Sequence, residues 1–230
     1  MNIFLHRHTK SIRLYPDGFS LFKKIGGKEA VSQDYPGTMI SSLPGYISSF
    51  FPVTDTGPVG VIVDVAPPVL IPEPLFDMES APSYLKLQFE TSGIGKILTD
   101  QLDPYISLYF IDKETDHILD KTEVDLEFVH QSTLFCRYID SPNFSFSENS
   151  SFLLYIDKQY AGYCMFKEGK IQLINRFGYT TGYDILYHYL NILKQYRMET
   201  RQTRLFLYNT ISKEYTELFK TYTPHITLIS

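Results

Sequence analysis

Polar and apolar residues alternate from Ser11 to Tyr15 and again from Phe19 to Lys24. Between them Asp17-Gly18 is a strong two-residue turn signal, so the pattern predicts a β-hairpin. The stretch from Gly26 to Gly37 is Gly-rich and polar and predicts no element. From Ser41 to Phe51 the positions of Leu43, Ile47, Phe50 and Phe51 allow a short helix despite Pro44 and Gly45. Val59 to Val65 is an almost unbroken β-branched run, the pattern of a strand covered on both faces, and Val69 to Ile71 is a second short candidate. Asp77 can cap a helix running to Glu90, with Pro82 early in it and Tyr84, Leu85 and Phe89 as its apolar stripe. Tyr105 to Ile111 predicts a strand. Val124 to Ile139 reads as a strand (Val124, Leu126, Phe128) that gives way to a short helix (Leu134, Phe135, Tyr138).

The Pro- and Ser/Asn/Glu-rich segment from Ser141 to Ser151 is the natural boundary, dividing the chain into residues 1–145 and 146–230. Beyond it the pattern is clean. Phe152 to Asp157, Tyr160 to Lys167 and Lys170 to Phe177 predict three strands, the last two joined by a tight Glu168-Gly169 turn. Thr181, with Asp184 three residues on, resembles a capping box and opens a helix that turns Ile185, Leu186, Tyr189, Leu190, Leu193 and Tyr196 to one side. A strand from Thr203 to Asn209, a helix capped by Ser212 and a last strand from His225 to Ile229 complete the half. Three strands, helix, strand, helix, strand is the ribonuclease-H-like layout, and right-handed crossovers leave few alternatives. The N-terminal half opens the same way, without a legible third strand. The expectation is an α/β chain of two ribonuclease-H-like halves with mixed sheets and covering helices.

Composition narrows the partners. A net charge of -5, with both signs mixed along the chain, gives no basic stripe, so nucleic acid is not an expected partner. The 18 Tyr and 17 Phe fall at strand or helix spacing, as core residues do, rather than forming a stacking platform. Cys136 and Cys164 lie inside packed segments without metal-ligand or CxxC spacing and read as reduced core thiols. Near Met1 the residues Asn2, His6, Arg7 and His8 interrupt any secretory apolar core. The longest apolar tract, Pro58 to Phe76, carries Asp64 and Glu73 and is broken by prolines. No membrane insertion and a cytoplasmic location are therefore expected.

Four segments also carry a resemblance. SIRLYPDGFSL (Ser11 to Leu21), VLIPEPLFD (Val69 to Asp77), YISLYFID (Tyr105 to Asp112) and INRFGYTTGYDILYHYL (Ile174 to Leu190) resemble an uncharacterised bacterial family, a domain of unknown function assigned an actin-like ATPase fold. The resemblance spans nearly the whole chain. It implies that fold and no activity, since the family has none assigned.

In actin-like ATPases two Asp-Gly-rich hairpins, one per half, hold phosphates and metal, because glycine lets backbone N–H groups approach phosphate oxygens closely. The corresponding segments here are Tyr15-Pro16-Asp17-Gly18-Phe19 and Asp157-Lys158-Gln159-Tyr160-Ala161-Gly162. The first has a single glycine and a proline that removes a donor. The second places Lys158, Gln159 and Tyr160 where glycine or a hydroxyl is wanted. If nucleotide binding is retained, Asp17, Gly18, Asp157 and Gly162 are the candidate contacts and Asp157 the candidate metal ligand. The missing glycines argue that no cofactor is bound.

Other chemistry is thinner still. A ribonuclease-H-type nuclease needs converging carboxylates, one on the first strand, where Asp157 could serve, and one at the end of the fourth, but that strand ends Leu207-Tyr208-Asn209 and the helix facing it offers only Asp184 and His188. Asp184 reads as a helix N-terminal carboxylate. Gly93-Ile94-Gly95-Lys96 lacks the spacing and hydroxyl of a phosphate loop and is expected to be a loop or helix C-cap. His6 and His8 lack a third ligand, His117, His130 and His225 are isolated, and no Gly-x-Ser-x-Gly elbow occurs. The leading expectation is a non-catalytic interaction or scaffold protein, a pseudo-ATPase with a protein partner, leaning away from an enzyme. The alternative is a divergent ATP-binding phosphotransferase or ATPase using Asp157, assisted by Asp17 or Asp184. A third is a small-molecule binder using Tyr160, Tyr179 and Tyr183.

Overall fold

The structure is a computed structural model that describes residues 8–25, 28–51, 57–122, 124–139, 150–158, 160–209 and 213–229. The chain divides into two compact units, Met1–Tyr138 and Ile139–Ser230. The sequence boundary at 145 and 146 and the cap at Ser212 lie outside the described residues.

The first unit runs β1 (Lys10–Tyr15), β2 (Gly18–Ile25), β3 (Lys28–Pro36), α1 (Leu43–Phe50), β4 (Val59–Val63), β5 (Val69–Pro72), α2 (Ala81–Lys86), β6 (Ile94–Leu102), β7 (Tyr105–Asp112), α3 (Lys113–Leu119), β8 (Leu126–His130) and α4 (Gln131–Ile139). Five of these strands form one sheet in the order β3-β2-β1-β4-β8, antiparallel among the first three and parallel from β1 through β4 to β8. The period-two pattern puts Ile12, Leu14, Phe19, Leu21, Val59, Val61 and Val63 on one face, where Leu43, Ile47 and Phe50 of α1 and Leu119 of α3 join them in a core. Inserted between β4 and β8 is a small antiparallel sheet, β5-β7-β6, whose Ile71 and Leu108 pack against Ala81 and Leu85 of α2.

The second unit runs β9 (Ser151–Ile156), β10 (Tyr160–Lys167), β11 (Lys170–Gly178), α5 (Gly182–Gln195), β12 (Arg204–Asn209), α6 (Lys213–Tyr222) and β13 (Ile226–Ile229). Its sheet has the order β11-β10-β9-β12-β13, again three antiparallel strands followed by two parallel ones. Phe152, Leu154, Tyr163, Met165, Leu205 and Leu207 meet Ile185, Tyr189 and Leu193 of α5 and Phe219 of α6. The two five-stranded sheets therefore share one strand order, the ribonuclease-H-like one that the sequence pattern predicts. The turn at Glu168 and Gly169 has both residues at positive φ, 52° and 72°, as a tight hairpin of this hand requires.

The structure departs from the sequence pattern in the first unit. The segment read as an element-free polar stretch holds β3, an edge strand in which the successive residues Ser32, Gln33 and Asp34 are exposed, so they show no period-two burial. Ile94–Lys96, expected as loop or helix cap, opens β6. Gly95 sits at a bulge there, where a Cβ would come within 2.8 Å of the Asp112 backbone. The first turn is Pro16-Asp17, flanked by the pair Tyr15 and Gly18, rather than Asp17-Gly18. Asp77 caps a turn through the N–H groups of Glu79 and Ser80, and the helix itself begins only at Ala81 and ends at Lys86. These hydrogen bonds, led by the Ser80 hydroxyl, hold the Asp77 carboxyl below its ordinary value.

Two buried polar ties hold the first unit. Arg13 of β1 and Asp64, just past β4, form an ion pair at 2.6 Å, with the Asp64 side chain fully buried. In the other, Asp100 of β6 accepts from the His130 amide at 2.8 Å and the Tyr109 hydroxyl at 3.2 Å, linking the inserted sheet to the end of β8. His130 Nδ1 accepts from the Ser132 amide at 3.1 Å, so Nε2 carries the proton it donates to the Ala66 carbonyl at 2.8 Å. Burial pushes the Asp100 carboxyl above its ordinary value, against the opposing pull of the His130 amide.

Asp64→Ala strands the Arg13 charge and is expected to cost about 3–5 kcal/mol in urea unfolding, whereas Arg13→Met with Asp64→Leu together cost clearly less than Asp64→Ala. Equal losses in the single and double variants would contradict the ion-pair account. Because the folded-state pKa of Asp100 lies above the unfolded one, its contribution is full below about pH 4 and is lost as pH rises through the folded value. The stability of the wild type relative to Asp100→Asn is therefore expected to grow as pH falls from 7 towards 4. A shrinking difference would mean that the carboxyl is held below its ordinary value instead.

Candidate functional site

The two hairpins that correspond to the phosphate-binding hairpins of actin-like ATPases occupy equivalent places, at the turn after the first strand of each sheet. In open α/β sheets the carboxyl ends of the parallel strands are where ligands sit. In the first unit a hollow of about 490 Å³ lies there, lined by Tyr15, Asp17, Gly18, Asp112, Glu114 and Thr115 among others. Among the described residues that line it, none is Lys, Arg or His, while three are carboxylates. Such a wall repels a polyanion.

The polar groups around this hollow are engaged by the protein itself. The Asp17 carbonyl accepts the Gly37 amide at 2.6 Å, closing the β1–β2 turn onto the end of β3. Asp112 caps α3, accepting the Thr115 amide at 2.9 Å and the Thr115 hydroxyl at 2.6 Å. Tyr15 donates to Asp34 at 2.6 Å, and Ser20 donates to the same carboxylate at 2.8 Å. Burial, with the Asp34 hydrogen bond second, pushes the Tyr15 phenol well above its ordinary value.

Gly18 owes its identity to packing. Its φ is not positive, and a Cβ there would stand 2.3 Å from the Tyr35 carbonyl oxygen and 3.2 Å from the Pro36 Cα. The glycine lets β3 close on β2, so the space that its missing side chain leaves is filled by β3 backbone. Gly162 in the second unit repeats this logic. A Cβ would lie 1.8 Å from Cζ of the Tyr155 ring, across the β9–β10 pair in which the two residues are partners.

Asp157 follows β9 and is half-buried. Its carboxylate accepts the adjacent Lys158 amide at 2.6 Å, its own amide donates to the Tyr160 carbonyl at 3.0 Å, and the Tyr179 hydroxyl donates to its carbonyl. Burial pushes Tyr179 up to about 12. Gln159 lies outside the described residues. Thus the described groups of Asp157 and Lys158 bond within the turn or to Tyr179.

The remaining candidates scatter. Asp184 forms the predicted capping box with Thr181, accepting the amides of Thr181 at 2.7 Å and Thr180 at 2.9 Å, which hold its carboxyl below its ordinary value. His188 stacks on Phe177 with centroids 4.2 Å apart. Of the three tyrosines, Tyr160 is buried beside Tyr155 with the Arg176 guanidinium over its ring at 4.4 Å, Tyr179 reaches the Asp157 turn, and Tyr183 is exposed on α5. His8 approaches Glu127 at 3.6 Å, and His6 lies outside the described residues. Among the described residues no group of three or more His, Cys, Asp or Glu is placed to hold a metal ion, and no helix is long and apolar enough to cross a membrane. Sequence reasoning missed Asp112, although the spacing Asp112-Lys113-Glu114-Thr115 is itself a capping signal.

Residues 57–227 match the model of a family described as protein of unknown function (DUF3822). The chain belongs to this family. The DUF3822 match includes the Asp157 hairpin and begins after β3, so the Tyr15–Phe19 turn lies outside it. A search of curated proteins by sequence finds no match. Among solved structures, a Bacteroides thetaiotaomicron protein with actin-like ATPase fold and unknown function is similar at a TM-score of 0.77 and 20% identity, covering 100% of this chain and 94% of that one. The PilM–PilN type IV pilus biogenesis complex gives a TM-score of 0.64 at 11% identity, covering 96% and 88%. The ethanolamine utilization protein EutJ from Carboxydothermus hydrogenoformans gives 0.53 at 6%, covering 96% and 84%. This DUF3822 chain has the actin-like ATPase fold.

Gly162→Ala forces a methyl group into the Tyr155 ring and is expected to cost about 1–3 kcal/mol in urea unfolding. Tyr155→Leu in the same chain should recover part of that loss, because the two residues share one contact. An unchanged urea midpoint for Gly162→Ala would show that the glycine is not required by packing.

Proposed function

We propose that the protein is a non-catalytic interaction or scaffold protein that keeps the actin-like architecture and does not use a nucleotide. The observation that carries this reading is the filling of both hairpin glycines by the protein's own atoms. Gly18 meets the Tyr35 carbonyl and Gly162 meets the Tyr155 ring. Glycine serves a phosphate cradle by letting backbone N–H groups come close to an anion, and that approach is taken here by β3 and by an aromatic side chain. The carboxylate-lined hollow beside the first hairpin supports the same reading, since a triphosphate there would face Asp17, Asp112 and Glu114 with no lysine or arginine among the described lining residues.

A protein partner fits this reading better than a small substrate. One structure of like fold is that of the PilM–PilN complex, a protein–protein assembly in type IV pilus biogenesis. A bacterial cytoplasmic location is part of the proposal, supported by Cys136 and Cys164, which are buried and unbridged as thiols are in reducing compartments.

Titration of magnesium-ATP into the full chain is expected to give neither heat nor a thermal shift. Micromolar binding that is lost in Asp157→Asn would overturn the proposal in favour of a divergent ATP-dependent phosphotransferase or ATPase, with Asp157 holding the metal.

A further inference from the structure

The inserted sheet of the first unit carries an apolar surface that its own helix does not cover. Ala81 and Leu85 of α2, four residues apart, pack inward with Ile71 and Leu108. Leu87 lies two residues past Leu85, about 200° further around the helix, so it turns away from that core and is 85% exposed. Tyr84, its neighbour three residues earlier, is half-buried, and its hydroxyl donates to the Leu75 carbonyl at 2.9 Å. That bond ties α2 to the short turn Glu73–Leu75, where Leu75 is 68% exposed. The Phe76 ring lies beside the Tyr84 ring with centroids 6.4 Å apart, and Met78, in the turn that Asp77 caps, is exposed. Three of the eight large apolar side chains that are exposed among the described residues thus fall within residues 75–87. Scattered singly they would need no explanation; joined through Tyr84 and Phe76 they form a patch.

The rim of this patch is acidic. Glu73 stands two residues before Leu75, Asp77 and Glu79 flank Met78, and Glu90 lies three residues past Leu87, all exposed. Against these four carboxylates residues 73–90 hold one cation, Lys86. Among the described residues, Glu73, Glu79, Glu90 and Lys86 enter no ion pair, and the Asp77 carboxylate bonds only within its own turn. Such a rim decides what can cover the leucines. A second copy docked by the same face would set carboxylate against carboxylate, and an anionic membrane surface would be repelled. Nor does the adjoining backbone invite an added strand, because β5 is an edge of four residues that ends at Pro72, which has no N–H. What fits is a face that is apolar along its middle and cationic at its margins.

We propose that this patch docks an amphipathic helix of a partner protein, its aliphatic stripe seated on Leu75, Tyr84 and Leu87 and its flanking lysines or arginines opposite Glu73, Asp77 and Glu79. The inference rests on the interaction reading above and names the chemistry of the partner. None of these residues lines the carboxylate-rich hollow beside the first hairpin, so the docking surface is distinct from it.

The test uses the full chain and two labelled peptides of about five helical turns, one with leucine on one face and lysine on the other, the second with glutamate in place of lysine. Fluorescence anisotropy is expected to show saturable binding of the leucine–lysine peptide and binding of the leucine–glutamate peptide at least about tenfold weaker. Leu75→Ser with Leu87→Ser is expected to weaken the leucine–lysine peptide about tenfold, whereas Leu228→Ser, an exposed leucine of the second unit, leaves it unchanged. Glu73→Gln with Glu79→Gln should flatten the salt dependence of binding. Leu75 and Leu87 stand outside the core, so their variants are expected to keep the wild-type melting temperature. No saturable binding, or equal affinities in Leu75→Ser with Leu87→Ser and in Leu228→Ser, would overturn the proposal. So would self-association, or uptake onto phosphatidylcholine vesicles, that those two leucine substitutions abolish in a chain that ignores the peptide; the patch would then belong to a second copy or to a membrane. The scaffold reading fails separately: ATP uptake lost in Asp157→Asn counts against it, while peptide binding alone decides the docking surface.

Discussion

Hairpin turns that follow the first strand of a ribonuclease-H-like sheet have a limited supply of backbone amides, and each amide serves either the protein or a ligand. In this chain the first turn is drawn onto β3, with the Gly37 amide on the Asp17 carbonyl and the Tyr35 carbonyl against Gly18. The second is drawn onto itself, with the Lys158 amide on the Asp157 carboxylate and the Tyr155 ring over Gly162. A phosphate would have to displace these partners before it gained any of its own. Exchanging one hydrogen bond for another yields little net free energy, so a weak ligand gains little there.

The remainder of the fold is arranged around this closure. The shared order of the two five-stranded sheets sets each turn at the carboxyl end of its first strand. The Arg13–Asp64 pair fixes β1 to β4 beneath the first hollow, and Asp100 ties the inserted β5-β7-β6 sheet to the end of β8.

Much of the second unit was legible in the sequence, because its strands are buried on the α5 side at every second position and α5 carries a full capping box. Thr181 and Asp184 announce the helix start through chemistry that needs no tertiary context. In the first unit the edge strands were the illegible ones. β3 presents three successive residues, Ser32, Gln33 and Asp34, to solvent, and at the start of β6 Gly95 reads as a loop residue while serving a bulge. The candidate residues Asp17, Gly18, Asp157 and Gly162 were legible by position. What sequence could not supply was the contact partner of each glycine, since Tyr35 and Tyr155 are set by strand register, which is a property of the folded sheet.

A crystal of the full chain soaked in magnesium-ATP tests the closure of the two turns most directly. The account predicts hairpins unchanged from the unsoaked crystal, with Tyr155 still over Gly162 and no ordered phosphate within hydrogen-bond reach of the Gly18 or Lys158 amides. Ordered phosphates on either amide, with the Lys158 amide released from Asp157 or Tyr155 swung away, would contradict it.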